Sequence, residues 1–250
     1  MKNYLFGLSI LALAFTACKK DKGPVNGGVT PKPFLTTEYS YLGTYDGDGR
    51  PNYLVETDIV SAALTNFVIT NLPENKDVRN TNPAFLKNAD LAITAKSTVF
   101  ITFVHEGTGY TNAVGYYTYK TGNSPTKPAD IVQIVYMFPH ASQIGKGGTL
   151  KPGDKIKLGT FEPGTSIGFV LLEKGWDAIA KKVNAKVPHY CSNPELNPEN
   201  FDNLKPHTVL FDYPAENKTI IGFEDIDRTL PGCDHDFNDV VIYATVTPSI

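Results

Sequence analysis

The chain has 250 residues and a formal net charge of −3, so it carries no electrostatic footprint for nucleic acid. Its 21 glycines, 18 prolines, 13 tyrosines and 14 phenylalanines argue against an all-helical protein. They suit a secreted all-β or α+β domain, and the length suffices for one good core.

Residues 1–17 read as a signal peptide. Lys2 supplies a positive start, and residues 5–15 form an apolar run too short for a spanning helix of about 20 residues. The run ends Phe15-Thr16-Ala17-Cys18. This resembles the lipobox of bacterial lipoproteins, although Phe15 stands where leucine is usual. The resemblance implies that Cys18 is the lipidation site and that the membrane is held through an N-terminal lipid. The expected location is the bacterial cell envelope, at the outer membrane, either surface-exposed or facing the periplasm. The alternative is an ordinary secretory signal with an incidental cysteine. Residues 18–37 form a flexible tether rich in charge, proline and glycine. Such a coil of about 20 residues has an r.m.s. span of roughly 25 Å. Residues 38–250 read as one domain.

Within that domain, Asp46-Gly-Asp48-Gly starts like a calcium loop but continues Arg50-Pro51, so a tight turn is expected. Residues 55–72 carry the best helical pattern, with Ile59, Val60, Ala63, Leu64 and Phe67 on a stripe, Thr57 as cap and Pro73 as stop. Residues 75–96 read as loop. Strands follow at 98–104, 113–119, 131–138, 156–158, 166–172, 207–213, 219–223 and 239–246, with a short helix at 175–183 and a loop at 190–205. The fold class is therefore mainly β: an antiparallel sandwich of jelly-roll or Greek-key type with one or two peripheral helices.

Two cysteines remain after Cys18. In an oxidising compartment Cys191 and Cys233 are expected to pair, closing a loop worth about 4 kcal/mol in the chain-entropy model. Two separate thiols are the alternative. A Cys191–His189 nucleophilic pair lacks any orienting motif.

The densest chemistry lies in residues 220–246. Glu224, Asp225, Asp227, Asp234, Asp236 and Asp239 crowd together with Asn238 between two apolar runs. Crowded carboxylates are solvated, protonated or neutralised by a cation. The alternation Asp234-x-Asp236-x-Asn238 offers hard oxygen ligands, which suits Ca2+. If the segment is extended, these three share one face. The expected ligand set is Glu224 or Asp225 with Asp234, Asp236 and Asn238, and Asp239 is either a ligand or a cap on loop N–H groups. The site is not an EF-hand: Asp239 replaces the glycine and Thr245 the glutamate. Mg2+ prefers to keep its waters, and Zn2+ lacks paired histidines. Glu106 and Asn112, in His105-Glu-Gly-Thr-Gly-Tyr-Thr-Asn112, are a second constellation that completes the ion site, shapes a ligand loop or only sets a turn.

The box Gly222-Phe-Glu-Asp225…Asp234-His-Asp-Phe-Asn-Asp-Val-Val241 resembles the signature of the LruC-type domain, an uncharacterised family of bacterial exported proteins. The segment from Phe103 to Tyr117 and the pieces Gly153-Asp154, Leu158-Gly159, Gly164-Thr165 and Ile167–Leu171 resemble the same family in order. The resemblance implies a surface lipoprotein with a suspected calcium site and no established activity. The expected role is a non-catalytic binding or adhesion module for a glycan, matrix or surface protein ligand. The alternatives are a structural subunit of a surface appendage and, less well supported, a glycan-active hydrolase.

Overall fold

A computed structural model describes Phe34, residues 37–87 and residues 90–249. The expected signal peptide, the expected lipidation site Cys18 and the start of the expected tether lie outside the described residues. Among the described residues thirteen strands form: β1 (Glu38–Tyr41), β2 (Leu91–Ile93), β3 (Ser97–Glu106), β4 (Ala113–Lys120), β5 (Gln133–Phe138), β6 (Lys155–Phe161), β7 (Thr165–Leu172), β8 (Trp176–Asp177), β9 (Lys182–Val183), β10 (His189–Cys191), β11 (Thr208–Tyr213), β12 (Lys218–Phe223) and β13 (Val240–Pro248). Two helices join them, α1 (Ala62–Asn71) and α2 (Val78–Thr81).

Eleven of the strands make two facing sheets, and β8 and β9 pair with each other as a separate hairpin. One runs β1-β5-β4-β7-β10, with β2 also paired to β7; the other runs β11-β12-β13-β3-β6. All pairings between named strands are antiparallel except β1 with β5. Alternation along each strand fills the space between the sheets: Val99, Ile101, Phe103, Ile221, Phe223 and Ile242 meet Val114, Phe169 and Leu171. The outer faces are covered too. Leu64, Val68, Leu72 and Val78 of the helical layer cap Val209, Phe211, Ile220 and Tyr243. Phe34, Val183 and Leu196 cover Tyr117, Ile134 and Tyr136 on the opposite side. Double coverage explains why β7 reads as a nearly continuous apolar run. These three clusters give residues 34–249 a core of their own.

Several expectations change. The helix is shorter than residues 55–72, because Ser61 caps it: its Oγ accepts from the Leu64 N–H at 3.0 Å. Residues upstream are tied to strand-side backbone instead, with Val55 N–H on Lys155 O at 2.8 Å and Asp58 N–H on Gly153 O at 2.9 Å. Ile59 is therefore exposed and Thr57 is no cap. Residues 175–183 form the β8–β9 hairpin rather than a helix. Strands β1, β2 and β10 were not anticipated; each has only three or four residues, too few for a period to register. Phe34 and Thr37, assigned to the tether, pack on the domain, and Thr37 Oγ1 donates to Ile131 O at 3.1 Å. The Asp46 turn is a turn: its Oδ1 accepts from the N–H groups of Asp48 and Arg50, both at 2.9 Å.

The disulfide does not form. Cys191 is buried on β10, a strand of the first sheet, paired with Val170 and clustered with Tyr117. Cys233 lies on the loop after β12, on the second sheet, with Sγ 3.2 Å from Glu224 Oε1 and 3.1 Å from His235 Nδ1. The two thiols belong to different elements with different partners.

Candidate metal centre

One end of the sandwich collects the C-terminal ends of β3, β7 and β12 and the N-terminal ends of β4 and β13. The antiparallel registers set this meeting: Val240 pairs with both Phe223 and Glu106, and Ala113 pairs with Leu172. The loop 224–239 lies across that end.

The loop is not extended. His235 and Phe237 take φ values of 60° and 58°, and Asn75 on the facing α1–α2 turn takes 56°. A left-handed phenylalanine costs on the order of 1–3 kcal/mol, so its surroundings must impose it. Phe237 is fully buried, and the Arg228 guanidinium sits 4.8 Å from its ring centre. Two glycines make room. A Cβ on Gly222 would lie 2.4 Å from Phe237 O, and one on Gly107 would lie 2.2 Å from Asn238 Oδ1. The glycine before Phe223-Glu224-Asp225 and the glycine after Glu106 are thus required by the same loop.

The acidic residues separate into three groups. On the helical side, Asp234 and Asp236 meet Glu74 of the α1–α2 turn. One carboxylate oxygen from each lies within 4.8 Å of the others. Ligands of one Ca2+ sit about 2.3–2.6 Å from it, so opposite ligands lie about 5 Å apart, and this trio fits. Asp236 is buried and held in place: its Oδ2 accepts from Asn75 N–H at 2.8 Å and Asn238 Nδ2 at 3.0 Å, and its Oδ1 accepts from Asn238 N–H at 3.1 Å. Burial first, then the charges of Asp234 and Glu74, push its carboxyl up to about 6. Asp234 is raised as well, chiefly by burial. Among the described residues no ion pair neutralises any of the three.

On the opposite side, Asp225 and Asp239 brace the two sheets. Asp225 N–H donates to Asp239 Oδ2 at 2.9 Å, and Asn112 Nδ2 donates to Asp225 Oδ2 at 2.7 Å. Asn112 Oδ1 accepts from Lys174 N–H at 2.9 Å, and its main-chain oxygen from Ala141 N–H at 2.8 Å. Glu106 joins this side: Gln143 N–H donates to Oε2 at 2.6 Å, Lys146 Nζ donates to its main-chain oxygen, and Oε1 is buried without a partner. Burial raises the Asp225, Asp239 and Glu106 carboxyls.

Glu224 forms the seam between the two sides. Its backbone N–H donates to His207 O at 3.0 Å, Cys233 Sγ donates to Oε1, and Oε2 is buried without a partner. Burial, then Asp234 and Asp236, push it up to about 8. Arg228, itself buried, donates through Nε to His235 Nδ1 at 3.2 Å and through Nη1 to Pro206 O. Beyond Glu224, His207 Nε2 and Glu199 Oε1 stand 2.7 Å apart in full burial.

The expected ligands therefore do not form one shell. The structure brings Asp234, Asp236 and Asn238 together, and turns Asp225, Asp239 and Glu224 to other partners. Glu74 was not anticipated. It follows Pro73 in an unpatterned stretch, about 160 positions before its companions, and no local signal marks it. Glu106 and Asn112 lie at this end of the sandwich, on the bracing side.

A family model matches residues 161–247. It is described only as a domain of unknown function, DUF4114. The match spans the end of β6 through most of β13, and so takes in the acidic loop but not Glu74, Glu106 or Asn112. The comparison with curated proteins and the comparison with solved structures each returned no match.

Proposed function

We propose that the chain is an envelope lipoprotein of LruC type whose sandwich is a calcium-stabilised, non-catalytic binding module. The observation that carries the calcium reading is the convergence of Glu74, Asp234 and Asp236, from two distant segments, with no ion pair to any of them among the described residues. Ca2+ takes oxygen ligands in flexible geometry. Asn238 turns its Nδ2 to Asp236 and its Oδ1 to Gly107, so it orients Asp236 and the three carboxylates supply the oxygens. The bound ion would pin the α1–α2 turn to the loop before β13, fixing the end of the sandwich. The bonds that hold Asp236 orient it for that task. Export and lipidation at Cys18 rest on the sequence of residues 1–18. The ligand class proposed is a glycan, matrix or surface protein, held on the loops at this end.

Calcium should raise the melting temperature of the protein and a chelator should lower it again. Asp236→Asn should abolish the response; a variant that keeps the full calcium shift removes the site from this loop. Labelled fatty acid should appear on the wild type and be lost in Cys18→Ala. A glycan array probed with calcium-loaded protein tests the ligand class.

A further inference from the structure

The β8–β9 hairpin is built unlike the rest of the surface. Its base is fixed. Trp176 is buried, stacked on His140 at 5.4 Å and met edge-on by Tyr45 at 5.8 Å. Val183 is buried too, and its N–H donates to Tyr41 Oη at 3.1 Å. The tip is rigid: Asp177 Oδ1 accepts from the N–H groups of Ile179 and Ala180, both at 2.9 Å. That turn leaves Ile179 96% exposed, more than any other large apolar residue described.

Cations surround this apolar point. Residues 174–186 hold four lysines against one aspartate, in a chain whose net charge is −3. Lys181, Lys182 and Lys186 are exposed and have no ion pair among the described residues. The nearby carboxylates leave these three lysines unpaired: Asp177 caps the tip, Glu173 pairs with Lys174 at 2.8 Å, Asp46 accepts from its own loop, and the exposed Asp48 makes no ion pair with them among the described residues. An exposed apolar residue on a rigid turn, ringed by free lysines, matches a surface that is anionic outside and apolar beneath.

We propose that the β8–β9 hairpin docks on an anionic lipid bilayer, with Ile179 entering the headgroup boundary and Lys181, Lys182 and Lys186 meeting lipid phosphates. Apolar burial and attraction to anionic lipid add in such docking. One isoleucine and three lysines make a weak contact alone and an effective one when the domain is already held near a membrane. The docking does not require the lipid on Cys18, so the two are separable.

The test uses the chain from Lys19 onward, which keeps every described strand and core cluster and lacks the lipidation site. It is mixed, in EDTA and low salt, with vesicles that are neutral or about one-third anionic. The protein should sediment with the anionic vesicles only, and about 0.5 M salt should release it. Lys181→Glu with Lys182→Glu should weaken binding by about fivefold or more for each lysine lost. Ile179→Asp should weaken it as well, and both variants should melt like the wild type, since the altered side chains are exposed. Equal sedimentation with neutral vesicles, or variants that bind like the wild type, overturn the proposal. So does a wild type that ignores vesicles and binds heparin, which assigns the hairpin to an anionic polysaccharide.

Discussion

On one flank of the 224–239 loop, Asp225 and Asp239 meet neutral donors from the backbone and from Asn112. On the other, Asp234 and Asp236 meet a third carboxylate, Glu74. The residue types are the same, yet the first flank is joined through backbone and Asn112 donors, with Glu106 Oε1 left without a partner among the described residues, and the second gathers three carboxylates that no ion pair among the described residues neutralises. A buried carboxylate with fixed donors stiffens a junction; converging carboxylates without a countercharge repel until a proton or a cation arrives. The difference separates structural acids from ligand acids more sharply than their spacing does.

The largest effect should come from the feature both flanks share. Gly222→Ala places a Cβ against Phe237 O and must displace the left-handed backbone that aims both groups, costing about 3 kcal/mol in chemical unfolding. Next is the bracing flank. Asn112→Ala leaves the buried Asp225 carboxyl and the Lys174 N–H without their partner, costing about 2–3 kcal/mol. It should leave the calcium-induced shift in melting temperature intact. If that shift disappears while the variant remains folded, the two flanks are one site and the division fails.

The converging flank predicts the opposite pattern. In EDTA, Asp236→Asn removes a repelling charge and keeps an acceptor for Asn75 N–H, but its NH2 faces the Asn238 N–H, so the net cost should be about 1 kcal/mol. The calcium-induced shift should be lost altogether. The pH dependence has a defined sign. Asp236 is raised to about 6 and Glu224 to about 8, so between their unfolded and folded values the folded state binds more protons. Stability of the metal-free protein should therefore fall as pH rises from about 5 to 8. Calcium displaces the proton on Asp236, so its stabilising effect should grow as pH rises through about 6. A metal-free melting temperature that instead rises steadily with pH would show that these acids are not held up by burial and repulsion.

Much of this was legible in the chain. The sandwich followed from eight apolar runs separated by turns, each of which forms a strand. The loop announced itself by composition. The grouping within it did not, because it depends on left-handed residues at His235 and Phe237, the second a type with no such local preference, and on Glu74 arriving from a distant turn. The hairpin at Trp176 was misread as helix because its apolar residues fit either period over so short a span. What decides it is tertiary: Trp176 finds a pocket between His140 and Tyr45, and Asp177 folds the turn.

The smallest effect concerns the seam. Cys233 donates to Glu224 and has no covalent link to Cys191, so a reductant should leave the unfolding midpoint where it is. A bond closing the 191–233 loop would contribute about 4 kcal/mol, and its reduction would be plain in the same measurement. Cys233→Ser keeps a donor at the position and should change stability by no more than about 0.5 kcal/mol. Cys233→Ala removes it and leaves the Glu224 carboxyl, already short of one partner, with none on either oxygen. Because Glu224 is raised to about 8, its charged form should suffer most, and the Ala variant should lose stability at pH 9 more than at pH 6. An equal loss at both values would mean that the thiol matters to packing and not to the carboxyl that divides the two flanks.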